Sequence, residues 1–287
     1  MELIDGKAIA AQLVAEVGSG VAALRARSGI VPGLAVVLVG DDPASTIYVR
    51  RKLATTEAAG MRSFEYRLTA DTSQPALLNL IDELNASADV HGILVQLPLP
   101  PQIDPLLVLD RIAPEKDVDG FHPVNVGRLS AGSGGLVPCT PLGCMKLLDR
   151  VIDEYRGLNA VVIGKSNIVG KPVALLLLER EATVAVTHIH TRGLPDIVLA
   201  SDILVVAAGS PGLVRGDWVK PGAVVIDVGI NRIIRPDGRP MIVGDTVTSE
   251  LAHARAVTPV PGGVGPMTIA CLLENTLRAA RNIVGEE

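Results

Sequence analysis

Apolar positions in this chain alternate between two rhythms. Ile9, Leu13, Val17, Val21 and Leu24 recur at helical spacing over 7–27, and Ser28-Gly29 closes the run. Residues 34–39 are then unbroken aliphatics ending at Gly40, as expected of a strand buried on both faces. The pattern predicts a helix over 44–59 stopped by Gly60, a short strand over 63–67, a helix over 75–87 and a strand over 92–96. A Gly- and Pro-rich stretch from Asp117 to Pro138 follows and reads as loop, a plausible place for a domain boundary. After a helix at 141–152, a second series has strands at 160–163, 183–186, 203–207 and 223–227. The last helix starts at Pro266, a residue suited to a first helical turn, and carries Leu272, Leu273, Leu277 and Ile283. Strand–helix alternation of this kind predicts an α/β fold with mostly parallel sheet, and 287 residues suffice for two domains.

Composition narrows the functional classes. Aromatics are 2% of the chain, so its cores must be built from Val, Leu, Ile and Ala. A net charge of −5 with no Lys/Arg stripe argues against a nucleic-acid partner. Cys139, Cys144 and Cys271 are odd in number and lack zinc-type spacing, so no disulfide framework and no metal site is expected. The first residues have no basic and apolar leader pattern, and no apolar run approaches the roughly 20 residues that span a bilayer. A cytoplasmic location with no membrane partner is the expectation.

Five segments carry candidate chemistry. Gly164-Lys165-Ser166-Asn167-Ile168-Val169-Gly170-Lys171-Pro172 follows a strand and opens a helix, so its glycines allow a tight turn while helix amides face an anion. It departs from G-x-G-x-x-G, and its strand–turn–helix context is what favours dinucleotide binding over an ordinary βα turn. The next strand ends in Thr187-His188-Ile189-His190 with no carboxylate to hold ribose hydroxyls, which together with Lys165 favours NADP over NAD. Ser45, Tyr48 and Lys52, at i, i+3 and i+7, share a helical face directly after the first strand. A Tyr ring there can cover a flat heterocycle, and a Lys near apolar walls can exchange protons near neutrality; the same spacing also occurs on plain surface helices. Gln96 leaves the strand 92–96 into Leu97-Pro98-Leu99-Pro100-Pro101, which rigidifies its exit, as a catalytic support or a loop brace. Asp117 and Asp119 lie in one turn, and a carboxylate of either would match two adjacent N–H donors; spacing does not choose between them. Pro259-Val260-Pro261-Gly262-Gly263-Val264-Gly265-Pro266 is a glycine-rich loop opening the last helix, suited to ligand contact or to a plain interdomain turn.

Together these segments resemble the methylenetetrahydrofolate dehydrogenase/cyclohydrolase family. The resemblance rests on Ser45-x-x-Tyr48-x-x-x-Lys52, Val95-Gln96-Leu97-Pro98-Leu99-Pro100, Pro114-Glu-Lys-Asp-Val-Asp119-Gly-Phe-His-Pro123 and Pro138-Cys-Thr140-Pro141, with the loop 164–172, Asp227-Val-Gly229-Ile-Asn231 and Thr258-Pro-Val-Pro-Gly-Gly-Val-Gly-Pro-Met-Thr268. It implies two α/β domains around a cleft: a catalytic domain of 1–139 plus 268–287 and a Rossmann-type NAD(P) domain of 140–267, in a homodimer joined through the cofactor domains. It implies Lys52 as the central catalytic residue, Tyr48 stacking on the pterin, Gln96 supporting Lys52 and Asp119 on the pterin edge. Ser45, Pro261, Gly262 and Gly263 join Tyr48 and Asp119 as implied substrate contacts. Implied cofactor contacts are Gly164, Lys165, Ser166, Ile168, Val169, Gly170, His190, Thr140 and Ile230. The family often has Ser or Arg where this chain has Ile189, which would leave the 2′-phosphate of NADP to Lys165, with His190 or Arg192 nearby. The implied reaction oxidises 5,10-methylenetetrahydrofolate and then hydrolyses the methenyl product, with no metal. The length implies these two activities without the fused synthetase domain of some relatives. Rival readings are a shikimate- or amino-acid-type dehydrogenase, which would need a different substrate motif, and a non-enzymatic dinucleotide sensor.

Overall fold

The computed structural model describes residues 1–235 and 237–285. In chain order its elements are β1 (Glu2–Leu3), α1 (Gly6–Ser28), β2 (Gly33–Val39), α2 (Pro43–Ala58), β3 (Arg62–Leu68), α3 (Gln74–Ala86), β4 (Gly92–Val95), α4 (Pro105–Arg111), α5 (Pro123–Ser130), α6 (Cys139–Leu148), β5 (Asn159–Ile163), α7 (Gly170–Glu179), β6 (Thr183–Thr187), α8 (Leu194–Leu199), β7 (Ile203–Val206), β8 (Val224–Asp227), β9 (Asn231–Ile234), β10 (Pro240–Val243), β11 (Ala256–Val257) and α9 (Val264–Ile283). The chain divides into two compact units, one of Ala11–Cys139 with Ile269–Glu287, the other of Met1–Ala10 with Thr140–Thr268.

The first unit is built on a parallel three-stranded sheet, β3-β2-β4. Every residue of β2 is buried, which is why its sequence shows no polar alternation. Ala35, Val37 and Val39 of β2 and Ile93 and Val95 of β4 form one core with Leu77, Ile81 and Leu84 of α3. The loop-like stretch 117–138 holds a helix, α5, that periodicity missed; His122 caps it by accepting from the Val124 amide at 3.1 Å, and Pro123 begins it. The chain at 116–118 runs along β4: the Ile93 amide donates to Lys116 O at 2.8 Å, and Asp117 bridges to Ile93. Lys116 itself is buried, and its ammonium donates to the carbonyls of Leu84, Asn85 and Ser87 at the end of α3. The expected absence of a bilayer-length apolar run is corrected: α1 is long and apolar enough to cross a membrane by length and composition. Its stripe Leu13, Val17, Val21 and Leu24 is nonetheless buried, as in the core helix of a packed domain.

His91, 4% exposed, precedes β4 and accepts from the Gly33 amide through Nδ1 at 3.1 Å. Burial, then the Lys116 charge, lowers its pKa. The unfolded chain therefore binds this proton more readily, so His91 contributes stability above about pH 6.5 that is lost as pH falls below it. Thermal melts from about pH 7.5 to about 5.5 should show a steeper loss in the wild type than in His91→Gln. Equal slopes would remove this role.

The second unit holds a six-stranded sheet in the order β1-β11-β8-β7-β5-β6, its neighbours paired in parallel. Val161, Ile163, Leu204, Val206 and Val225 supply one face of its core. Residues 1–10, expected with the first segment, group here because β1 pairs with β11, Glu2 opposite Ala256. A two-residue strand carries no periodicity by which the sequence could announce it. Strand order reverses beside β5, where β6 lies on one side and β7 on the other. Open α/β sheets bind ligands at such a switch point, outside the carboxyl ends of the strands.

Candidate active site

In the first unit, β2 passes through Gly40, at φ +84°, directly into α2. Asp42 caps that helix by accepting from the Ser45 amide at 2.7 Å, and Pro43 fits its first turn. Ser45, Val49, Lys52 and Thr56 form its buried stripe, while Tyr48 stays 36% exposed beside them. Lys52 is 9% exposed, and its Nζ donates to Gln96 Oε1 at 3.1 Å. Gln96 is itself held: its backbone amide donates to Val37 O at 2.8 Å and its Nε2 to Leu97 O at 2.7 Å. The side-chain oxygen is thereby left facing the ammonium.

The structure separates the two turn carboxylates. Asp117, 1% exposed, accepts from the amides of Phe121 at 3.2 Å and His122 at 2.8 Å and from Asn125 Nδ2 at 2.9 Å. Burial pushes its pKa up to about 6 against those bonds, and its acceptor positions are taken up by the turn. Asp119 is partly exposed beside Lys52 and Cys139. Burial raises its pKa, while the Lys52 charge and a hydrogen bond from the Cys139 thiol pull the other way. Of the two, Asp119 is the more exposed.

Residues that the sequence did not single out fix this turn. Gly120, at φ +73°, lies so close to Val137 and Pro138 that a Cβ would stand 2.6 Å from Pro138 N. Asn275 of α9, 1% exposed, donates through Nδ2 to Val118 O and Val137 O, both at 2.8 Å. Asn275→Ala should cost about 2–3 kcal/mol by orphaning these buried carbonyls, measurable as a shift of the denaturation midpoint. An unchanged midpoint would mean the turn is held without it.

In the second unit, the turn after β5 is at the switch point. Gly164, at φ +122°, has no space for a Cβ, which would meet the Ala207 carbonyl oxygen; at Gly170 it would meet Gly164 O. Ser166 Oγ accepts from the amides of Val169 at 3.1 Å and Gly170 at 3.3 Å and orders the start of α7. Lys165, Ser166 and Ile168 are exposed and Val169 is partly so. Past β6, the His190 amide donates to His188 Nδ1 at 3.2 Å, and Ile189 is 92% exposed. Thr140 and Thr268 share a 2.9 Å hydroxyl bond. Ile230 is 50% exposed, and its Cδ1 lies 3.6 Å from where a Gly265 Cβ would stand. Pro261 is exposed, Gly262 has φ +113°, and Gly263 is packed against Thr258 and Pro259. The two candidate sets thus fall in different units: Ser45, Tyr48, Lys52, Gln96 and Asp119 in the first, the glycine turn and its companions in the second. Among the described residues, no group of three or more His, Cys, Asp or Glu could hold a metal ion.

Comparison with known proteins adds an independent observation. Residues 4–119 match the model of the tetrahydrofolate dehydrogenase/cyclohydrolase catalytic domain, and 138–284 match that of the NAD(P)-binding domain of the same family. The chain belongs to this family. It is 70% identical over 285 residues to Bifunctional protein FolD 1 of Rhizorhabdus wittichii, covering 99% of this chain and 97% of that protein. Among solved structures, the bifunctional FolD methylenetetrahydrofolate dehydrogenase/cyclohydrolase of Campylobacter jejuni superposes with TM-score 0.94 at 49% identity, covering 99% of each chain. The Trypanosoma brucei methylenetetrahydrofolate dehydrogenase-cyclohydrolase, solved with NADP and an inhibitor, does so with TM-score 0.94 at 44% identity over 98% of each. In this family setting, Asp227-Val-Gly229-Ile-Asn231 has a structural meaning. The buried Asp227 carboxylate accepts from the amides of Gly229, Asp245 and Thr246 and from the Thr246 hydroxyl, gathering the loops beyond β8.

Proposed function

We infer that this chain is a bifunctional one-carbon folate enzyme: it oxidises 5,10-methylenetetrahydrofolate to the 5,10-methenyl form with NADP and then hydrolyses that product to 10-formyltetrahydrofolate. The observation that carries the reading is the Lys52–Gln96 contact of 3.1 Å, on the helix that also presents Tyr48 and beside Asp119.

The glycine turn fits a dinucleotide, because backbone without Cβ atoms, the amides opening α7 and the exposed Lys165 together suit a pyrophosphate. NADP, when bound, supplies the acceptor for the hydride leaving the methylene carbon. Residues 188–192, which follow β6, include no carboxylate to repel a 2′-phosphate. Lys165, His190 and Arg192 are the cations and imidazole available to it in place of the residue that Ile189 replaces. Thr140, Ile168, Val169 and Ile230 complete this list of cofactor contacts.

The remaining steps belong to the chain's own side chains. Asp119 accepts from the N–H edge of the pterin, Tyr48 covers its face, and Ser45 adds a contact from the same helix. Aligning substrate and acceptor supplies much of the rate of hydride transfer, which needs no general base. In the second step water adds to the cationic methenyl carbon and loses a proton. The bond from that carbon to N5 then breaks, the added oxygen becomes the formyl carbonyl, and its proton passes to N5. Lys52, oriented by Gln96, holds and moves the protons of this step.

Mixing the protein with 5,10-methylenetetrahydrofolate and NADP, with reduced cofactor and methenyl absorbance followed separately, tests both halves. No reduction with NADP or NAD would reject the oxidation, and methenyl decay at the uncatalysed rate would reject the hydrolysis. We place the enzyme in the cytoplasm as a homodimer. The edge strand β6 supports the dimer, since its Val186 and the Leu178 of α7 are 42% and 53% exposed. Light scattering that gives a mass near the 29.9 kDa of one chain would contradict it.

A further inference from the structure

Asp245 is wholly buried. Its Oδ2 accepts from the amides of Ala208 at 2.7 Å and Gly209 at 2.9 Å, and its Oδ1 from the Ser210 amide at 2.9 Å and Asn231 Nδ2 at 2.8 Å. One carboxylate therefore holds three successive amides of the loop that leaves β7, together with a side chain at the start of β9. The site is closed around it, because a Cβ on Gly229 would run into its oxygen. The loop it grips is not placed at random. β7 and β6 flank β5 on opposite sides, so the loops after β5 and β7 form the two lips of the switch-point crevice. The lips touch, since Gly164 abuts the Ala207 carbonyl and the Ala207 amide donates to Ile163 O at 2.7 Å.

We propose that the loop 207–210 is the second wall of the dinucleotide site, facing the glycine turn, and that Asp245 is the positioning residue that sets its shape. Three amide N–H groups turned inward onto a carboxylate are withdrawn from the crevice, so this wall presents carbonyls and small side chains where the glycine turn presents amides. Such a wall suits the uncharged parts of a dinucleotide and leaves the pyrophosphate to Gly164, Lys165 and Ser166. Asp245 acts on this wall through the amides of Ala208, Gly209 and Ser210. The proposal rests on the dinucleotide reading of this unit.

The test is Asp245→Asn in the full-length protein, a change of near-equal volume. An amide nitrogen in place of one carboxylate oxygen faces N–H donors, so that side of the clip opens. Three quantities are read: the Kd for NADP, the KM for NADP against that for the folate, and cyclohydrolase turnover of supplied methenyltetrahydrofolate, which consumes no dinucleotide. The expected result is a rise of about tenfold or more in Kd and KM for NADP, with the folate KM and the cyclohydrolase within about twofold. An NADP affinity unchanged within twofold would overturn the proposal, as would proportional loss of both activities, which would mark Asp245 as a fold residue only. A wild-type protein that binds no dinucleotide would fail the parent reading instead, before the variant is compared.

Discussion

Lys52→Met is expected to lower cyclohydrolase kcat/KM by about two to four orders of magnitude, the range that a positioned proton-transfer group supplies. Methionine keeps the length and packing of the buried stem, so α2 should stay folded with Val49 and Thr56 still in the core. What is lost is the ammonium that meets Gln96 Oε1 and lies beside Asp119. NADP binding, which uses the other unit, should be unchanged, so methenyltetrahydrofolate should accumulate once oxidation supplies it. Gln96→Ala should fall in the same direction by a smaller factor if the contact of its Oε1 with Lys52 Nζ orients the lysine. Hydrolysis by Lys52→Met at the wild-type rate would remove the lysine from the mechanism.

Gly164→Ala should be nearly as damaging to the oxidation, for a steric reason. A Cβ there collides with the Ala207 carbonyl oxygen, and φ +122° is a conformation that L side chains rarely adopt. The lips of the crevice must then part, and NADP affinity should fall by more than about tenfold, equivalent to more than about 1.4 kcal/mol. Gly157→Ala is the matched control. Gly157 also has a positive φ, +81°, but its Cβ would meet nothing within 4 Å. It should lose only the backbone preference, about 1 kcal/mol of stability, and keep NADP affinity. Equal effects from the two substitutions would mean that the collision with Ala207 is irrelevant to the dinucleotide.

Much of the scaffold was legible because its signals are local. The buried runs of β2 and β5 and the spacing of Ser45, Tyr48 and Lys52 are properties of short windows, and each appears in the structure at nearly the expected residues. What escaped depends on partners far along the chain. Nothing near Asn275 announces that its amide holds the carbonyls of Val118 and Val137. Asp245, flanked by Gly244 and Thr246, gives no sign that it gathers the loop after β7. β1 joins the second unit through two residues of pairing, too few for any pattern. Helix α5 was hidden for another reason: its Pro, Asn and Gly residues resemble loop composition, while its cap and its neighbour Asp117 hold it in place. The choice between Asp117 and Asp119 had the same character. Two residues apart and chemically identical in sequence, they differ only in which donors the fold brings to each.

The most direct test of the whole account is a crystal structure of the protein with a tetrahydrofolate analogue that keeps an intact pterin ring. The ring edge should lie within hydrogen-bonding distance of the Asp119 carboxylate, its face against Tyr48, and its one-carbon position next to Lys52 Nζ. A pterin held by Asp117, or seated away from α2 and the turn at 117–120, would contradict it.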